Sequence, residues 1–137
     1  MKTPESLVPS LDLCKEFARV CEEKGVEIPE TYFYYHNGKI LANWEMRGRT
    51  VSEENLPVAM PTASEIGEWL PFVIESVGEH YYLTIDKARE YWNTNYEDPY
   101  GITLFIDFGS ITGERQQDSL LSMLTYLIDQ GLVTKLK

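Results

Sequence analysis

Apolar residues recur along this chain with two different periods, and the changes of period divide it into elements. Leu11, Cys14, Phe17, Ala18 and Cys21 follow the i, i+3, i+4, i+7 spacing of one helix face. Ser10 is suited to cap that helix, and Asp12 favours the positive end of its dipole. Gly25 supplies a left-handed residue after Lys24, and Pro29 prevents continuation. The pattern then changes to β-rich runs on either side of Asn37-Gly38, a dipeptide in which both residues accept positive φ in a tight turn. A two-residue loop pairs His36 with Lys39, Tyr35 with Ile40 and Phe33 with Ala42. Phe33, Tyr35, Ile40, Ala42 and Trp44 are therefore expected on the core face of a hairpin. Tyr32, Tyr34, His36, Lys39, Leu41 and Asn43 fall on the other face, with His36 an exposed residue beside the turn.

Residues 45–61 have no clear period and contain Gly48, Pro57 and Pro61. They read as a long connection with a short strand around Leu56 to Met60. Connections of this length are uncommon unless they are functional or pack back on a sheet. Thr62 and Glu65 next form a capping box, Ile66, Trp69 and Leu70 share one helical face, and Pro71 ends the helix. Strands follow over 72–77 and 80–86, joined through Gly78-Glu79. Tyr91 to Tyr96 can form another strand, Asp98-Pro99-Tyr100-Gly101 is a turn, and Ile102 to Phe108 reads as a strand closed by Gly109. The last helix spans about Glu114 to Gln130. Leu120, Leu121, Leu124, Leu127 and Ile128 form its apolar stripe beside Met123, with Gly131 as its C′ residue and Leu132 folding back on Leu127.

The order α-ββ-α-ββ(β)-α, with short turns between strands, predicts an α+β fold. An antiparallel sheet of about four to six strands would pack with three helices. Each half places a helix before a hairpin. The 137 residues suit a single domain over 1–137, with 1–9 as an extended lead-in.

Composition narrows the function. Hydrophobic residues at 43% with 12% aromatics support a packed core rather than disorder. No apolar run approaches the roughly 18 residues that span a bilayer, and the N-terminal residues lack the apolar centre of a signal peptide. A cytoplasmic protein without membrane association is expected. Cys14 and Cys21 lie about 10.5 Å apart along one helix axis, too far for the roughly 7 Å a disulfide allows. Their shared apolar face makes them core residues. The 22 acidic and 12 scattered basic residues leave a net charge of −10, which repels nucleic acid. Such a surface is most simply solubilising, and it also suits docking on a basic partner.

No Gly-rich phosphate loop, paired-cysteine zinc pattern, H-E-x-x-H or G-x-S-x-G occurs, so no cofactor, metal or catalytic residue is assigned. His36 and His80 both sit beside turns. Asp86 and Asp107 end or interrupt strands, where turn hydrogen bonding and edge protection are commoner roles than acid–base chemistry. The segment with most to offer a partner is Tyr91, Trp92, Asn93, Asn95, Tyr96 and Tyr100, where aromatics interleave with amides as binding surfaces often do. The alternative for these aromatics is packing under the last helix.

Pro61-Thr62-Ala63-Ser64-Glu65-Ile66-Gly67-Glu68-Trp69-Leu70-Pro71 resembles a segment of small uncharacterised proteins of phages and integrated prophages. The preceding Leu11-Asp12-Leu13-Cys14 helix and the closing Ser122-to-Leu132 helix resemble theirs too, so the likeness runs from about residue 10 to 133. It implies a mobile-element source and a cytoplasmic location, and it brings no activity. The expected function is a non-enzymatic interaction module that binds a protein partner or forms a homodimer. The alternative is a small enzyme or ligand-binding protein with a pocket beside residues 45–61.

Overall fold

The computed structural model describes residues 3–102 and 111–136. Its longest elements are the helices α2 (Leu11–Lys24) and α4 (Gln116–Asp129), which pack against each other. α2 begins and ends where local chemistry dictates. The Ser10 hydroxyl accepts from the Leu13 amide at 3.4 Å, and Gly25 takes φ +71° while its neighbour's amide bonds back to the Cys21 carbonyl. Cys14, Phe17, Val20 and Cys21 are buried along its inner face.

α4 is the central element, touching α2, the short helix α3 (Ala63–Trp69) and two strands. Its whole predicted stripe from Leu120 to Ile128 is buried, together with Gln117, Asp118 and Ser119 in its first turn. At its far end the Leu132 amide reaches the Leu127 carbonyl at 2.9 Å, and Gly131 has φ +76°. The side chain that turns inward there is Val133, whereas Leu132 stays exposed.

α3 carries the expected capping box. The Glu65 amide donates to Thr62 Oγ1 at 3.3 Å, and the Thr62 amide donates to Glu65 Oε1 at 2.9 Å. The other Glu65 oxygen accepts from the Tyr32 amide at 3.1 Å, so one carboxylate joins the helix start to the first hairpin. On the inner face Ile66 is buried, and the Trp69 ring stacks on Phe17 with centroids 6.2 Å apart.

The class is α+β with antiparallel pairing, and the strands divide into two sheets rather than one. The first has the order β2-β1-β3, with β1 Phe33–His36, β2 Lys39–Ala42 and β3 Val58–Met60. Its register is the one expected from Asn37-Gly38: Phe33 opposite Ala42, Tyr35 opposite Ile40 and His36 opposite Lys39. The second has the order β4-β5-β6-β7, formed by Val73–Ser76, Glu79–Lys87, Trp92–Glu97 and Ile111–Gly113. The first sheet meets α2 through β3, and the second meets α4 through β6 and β7.

Several expectations need correction. Residues 3–9 are not simply extended, because Pro4–Leu7 forms a helical turn (α1) that Pro4 pre-sets at its first position. Trp44 leaves the hairpin in a 3₁₀ turn over Asn43–Met46 and is 62% exposed, so it is no core residue. Tight pairing in the second hairpin turns at Val77-Gly78, one residue earlier than expected, leaving Glu79 to pair with Ser76. β7 was not foreseen, and its Gly113 is dictated by proximity. A Cβ there would sit 2.5 Å from the Ser119 nitrogen of α4. The expected strand over 102–108, with Asp107, lies outside the described residues apart from Ile102, which is in no strand.

Candidate functional site

The two sheets differ in what covers their second faces. On the first, residues 47–57 fold back over β1 and β2. His36, expected to be exposed, is buried beneath them, as is Leu41. Arg49 Nε donates to His36 Nδ1 at 3.2 Å, and an arginine has no other role to play in such a bond. The ring proton is therefore on Nε2, which donates to the Asn55 carbonyl at 3.1 Å. Asn55 also hydrogen-bonds the Asn37 side chain at the hairpin turn. Both nitrogens of His36 are thus spent on holding the connection in place.

The second sheet keeps its outer face open at one end. Cross-strand partners place Val73, Glu75, His80, Tyr82, Thr84, Asp86, Asn93, Asn95 and Glu97 on that face. Ile74, Tyr81, Leu83, Thr94 and Tyr96 point the other way, toward the helices. At the β4 end, Phe72 is 74% and Tyr82 41% exposed, and their rings meet edge to face with centroids 6.3 Å apart. Val73 and Glu75 lie exposed beside them, and Val77 at the hairpin tip is 99% exposed. The charged strand residues on this face are Glu75, Asp86 and Glu97, with His80 beside Glu75 and no lysine or arginine among the paired residues there.

The Tyr91-to-Tyr100 segment divides between core and surface. Tyr96 is completely buried, and its hydroxyl donates to the Pro71 carbonyl at 2.6 Å, while burial pushes its pKa well above the usual phenol range. Asn95 is buried on the outer face. These two residues cannot form a docking surface as they stand. Trp92 is half-buried with Lys87 Nζ 5.7 Å over its ring, and Asn93 is half-buried as well. Tyr91 and Tyr100 are exposed, Tyr100 at the turn where Asp98 Oδ1 accepts the Tyr100 and Ile102 amides. Next to the buried pair, Thr94 hydrogen-bonds Ser119 at 2.6 Å, which fixes β6 to α4. Strand β6 is chiefly the strand that packs under the last helix. The exposed ring pair Phe72–Tyr82 is a tertiary feature: alternation in β5 separates Tyr81, Leu83 and Ile85 from His80, Tyr82, Thr84 and Asp86, but the pairing of Phe72 with Tyr82 depends on the register between β4 and β5.

Concave surface occurs around the first hairpin. A cleft of about 800 Å³ is lined by Leu7, Glu30, Tyr32, Asn43, Thr62 and Glu65 among others. A hollow of about 450 Å³ lies beside it, with Met46 and Pro57 supplied by the long connection. The carboxylates in the cleft already serve internal donors: Glu65 holds Thr62 and Tyr32, and Glu30 accepts from Asn43 at 2.8 Å. No group of three or more His, Cys, Asp or Glu among the described residues is arranged to hold a metal ion. Both thiols are buried, which pushes Cys14 and Cys21 up to about 12, so neither is poised as a nucleophile. No described helix is long and apolar enough to cross a membrane.

No protein-family model, curated protein or solved structure matches this chain.

Proposed function

We propose that this protein is a non-enzymatic interaction module that binds a protein partner through the open end of its second sheet. The observation that carries this is the exposed Phe72–Tyr82 ring pair flanked by Val73 and Val77. Large side chains held on a rigid strand lose little freedom on binding and supply the aromatic anchors that dominate interfaces. The resemblance to phage and prophage proteins supports a cytoplasmic setting, where a host or a phage protein could be the partner. The net charge of −10 supports a partner other than nucleic acid and disfavours a second copy of the same chain.

The test is capture from a bacterial lysate on immobilised protein, comparing the natural chain with Phe72→Ala/Tyr82→Ala. A specific partner should be lost in the variant while the urea midpoint moves little, since both rings are exposed. A partner held equally by both proteins would move the interface elsewhere. The cleft beside the first hairpin favours small-ligand binding as a second reading, though its carboxylates are already engaged within the protein.

A further inference from the structure

Strand β4 lies at the edge of its sheet, and none of the described strands pairs with its outer side. The hydrogen-bond alternation settles which groups face outward. The Leu83 amide donates to the Phe72 carbonyl at 3.0 Å, so Phe72, Ile74 and Ser76 turn their peptide groups toward β5. Val73 and Glu75 therefore present N–H and C=O to the open side. Edge strands are normally blunted by lysine, an internal proline, a bulge or a covering loop. β4 is short and carries one charge, Glu75, but no lysine, proline or bulge between Val73 and Ser76, and the residues at either end are the exposed Phe72 and Val77. The first sheet shows the contrast, since residues 47–57 fold over its second face and fix themselves to His36.

We infer that β4 is a docking edge for an extended, arginine-bearing segment of a partner protein, which adds to the sheet as a fifth strand. The inference rests on the interaction-module reading and names its partner's chemistry. Backbone bonds to Val73 and Glu75 supply the register, as in strand addition generally. Side chains of the added strand alternate between faces. Those on the outer face lie beside Val73 and Glu75, on a face whose charged strand residues include three carboxylates and no lysine or arginine. An arginine opposite Glu75 fits this field, forming a fork to the carboxylate, and its flat guanidinium can also lie on an exposed ring such as Phe72. A hollow of about 450 Å³ opens at the start of the edge, lined by Trp69, Leu70, Phe72 and Leu132 together with Glu68 and Lys135, and its apolar part suits an aliphatic rather than a cationic side chain of the incoming strand. A second copy suits the edge poorly, because it brings another Glu75 and another net −10 to the same place.

The experiment titrates the isotope-labelled full chain with a blocked eight-residue peptide of alternating arginine and valine, and with the same peptide carrying glutamate for arginine. The arginine peptide should shift and protect the Val73 and Glu75 amides against exchange, while the glutamate peptide leaves them unchanged. Glu75→Arg should weaken the arginine peptide by about tenfold, the scale of a close interfacial charge pair. Because Glu75 is exposed, that variant should fold, and its unchanged remaining spectrum verifies this. Shifts scattered over the acidic surface without protection of Val73 and Glu75 would overturn the inference, as would equal binding by Glu75→Arg. Concentration-dependent protection of the same amides without peptide would assign the edge to self-association and overturn it too. If a captured partner depends on Phe72 and Tyr82 but is indifferent to Glu75→Arg, the interaction reading stands and the strand-addition inference fails.

Discussion

The two hairpins of this protein share a geometry and differ in how they are finished. Both turn in two residues with positive φ, Asn37 and Gly38 at 52° and 78°, Val77 and Gly78 at 51° and 78°. In the first, asparagine accepts the left-handed conformation at little cost, and the turn is tied to a covering loop through Asn55. In the second, a β-branched residue occupies the same conformation with its side chain in water. The first hairpin is optimised from turn to cover, whereas the second accepts a strained, bare tip. Local strain and exposed apolar surface concentrate at the same hairpin, the combination expected where a surface is kept for contact rather than for stability.

The sharpest way to break this contrast is at the second sheet itself. Tyr96→Ala should cost about 3–5 kcal/mol, since it empties a fully buried ring position. Tyr82→Ala on the opposite face should stay within about 0.5 kcal/mol. Urea midpoints of the two variants measure the difference, and equal losses would mean that the outer face is as structural as the inner one. The first sheet gives the next largest effect. His36→Ala leaves Arg49 and the Asn55 carbonyl without their ring partner and should cost about 1–3 kcal/mol. His80→Ala, at an exposed site of the second hairpin, should leave the midpoint unchanged.

A turn exchange is more delicate. Val77→Asn should stabilise by about 1 kcal/mol, and Asn37→Val should destabilise by more than that, because it adds the loss of the Asn55 hydrogen bond to the left-handed penalty of a β-branched side chain. Calorimetric melting of both variants tests the sign. Smallest at neutral pH is the effect of the two thiols. Their pKa values are raised from 9.0 to about 12, so the folded state holds protons that the unfolded chain releases. That contribution is complete below pH 9 and is lost as pH rises toward 12. Alkylation of the native protein at pH 8 should accordingly be slow at Cys14 and Cys21 and complete in denaturant. Fast native labelling would place a thiol outside the core.

Local chemistry was readable wherever a motif closes within a few residues. Ser10, Gly25, Asn37-Gly38, Thr62 with Glu65, and Gly131 each set an element end that the structure reproduces. What could not be read depends on contacts between distant segments. His36 looks exposed in sequence because its cover, Arg49 and Asn55, comes from a stretch without period. The division into two sheets is a matter of long-range pairing, and β7 can touch α4 because Gly113 has no side chain there. Of the candidate surface, Tyr91 and Tyr100 are exposed, whereas Asn95 and Tyr96 are interior. Alternation in β6 would have separated Trp92, Thr94 and Tyr96 from Asn93 and Asn95, yet it could not say which set faces helix.

The N-terminal segment is fastened to the start of α4, and this joins the beginning of the described chain to its last helix. Arg115 donates to the Glu5 carbonyl at 2.7 Å, Gln117 to the Ser6 carbonyl at 2.9 Å, and the Ser10 amide to Asp118 at 2.9 Å. Those partners are separated by 108 to 111 residues along the chain. During synthesis the α2 cap region must therefore wait for its anchor, roughly 5–20 s at ordinary elongation rates. Over that interval the inner face of α2, with Phe17 and both cysteines, has no α4 to lie against. Closure of these contacts joins residues more than a hundred positions apart, the kind of non-local pairing that slows folding in general. A chain interrupted before residue 115 would keep the Trp69 and β3 contacts of α2 but lose its α4 partner, and such a fragment should aggregate more readily than the whole protein.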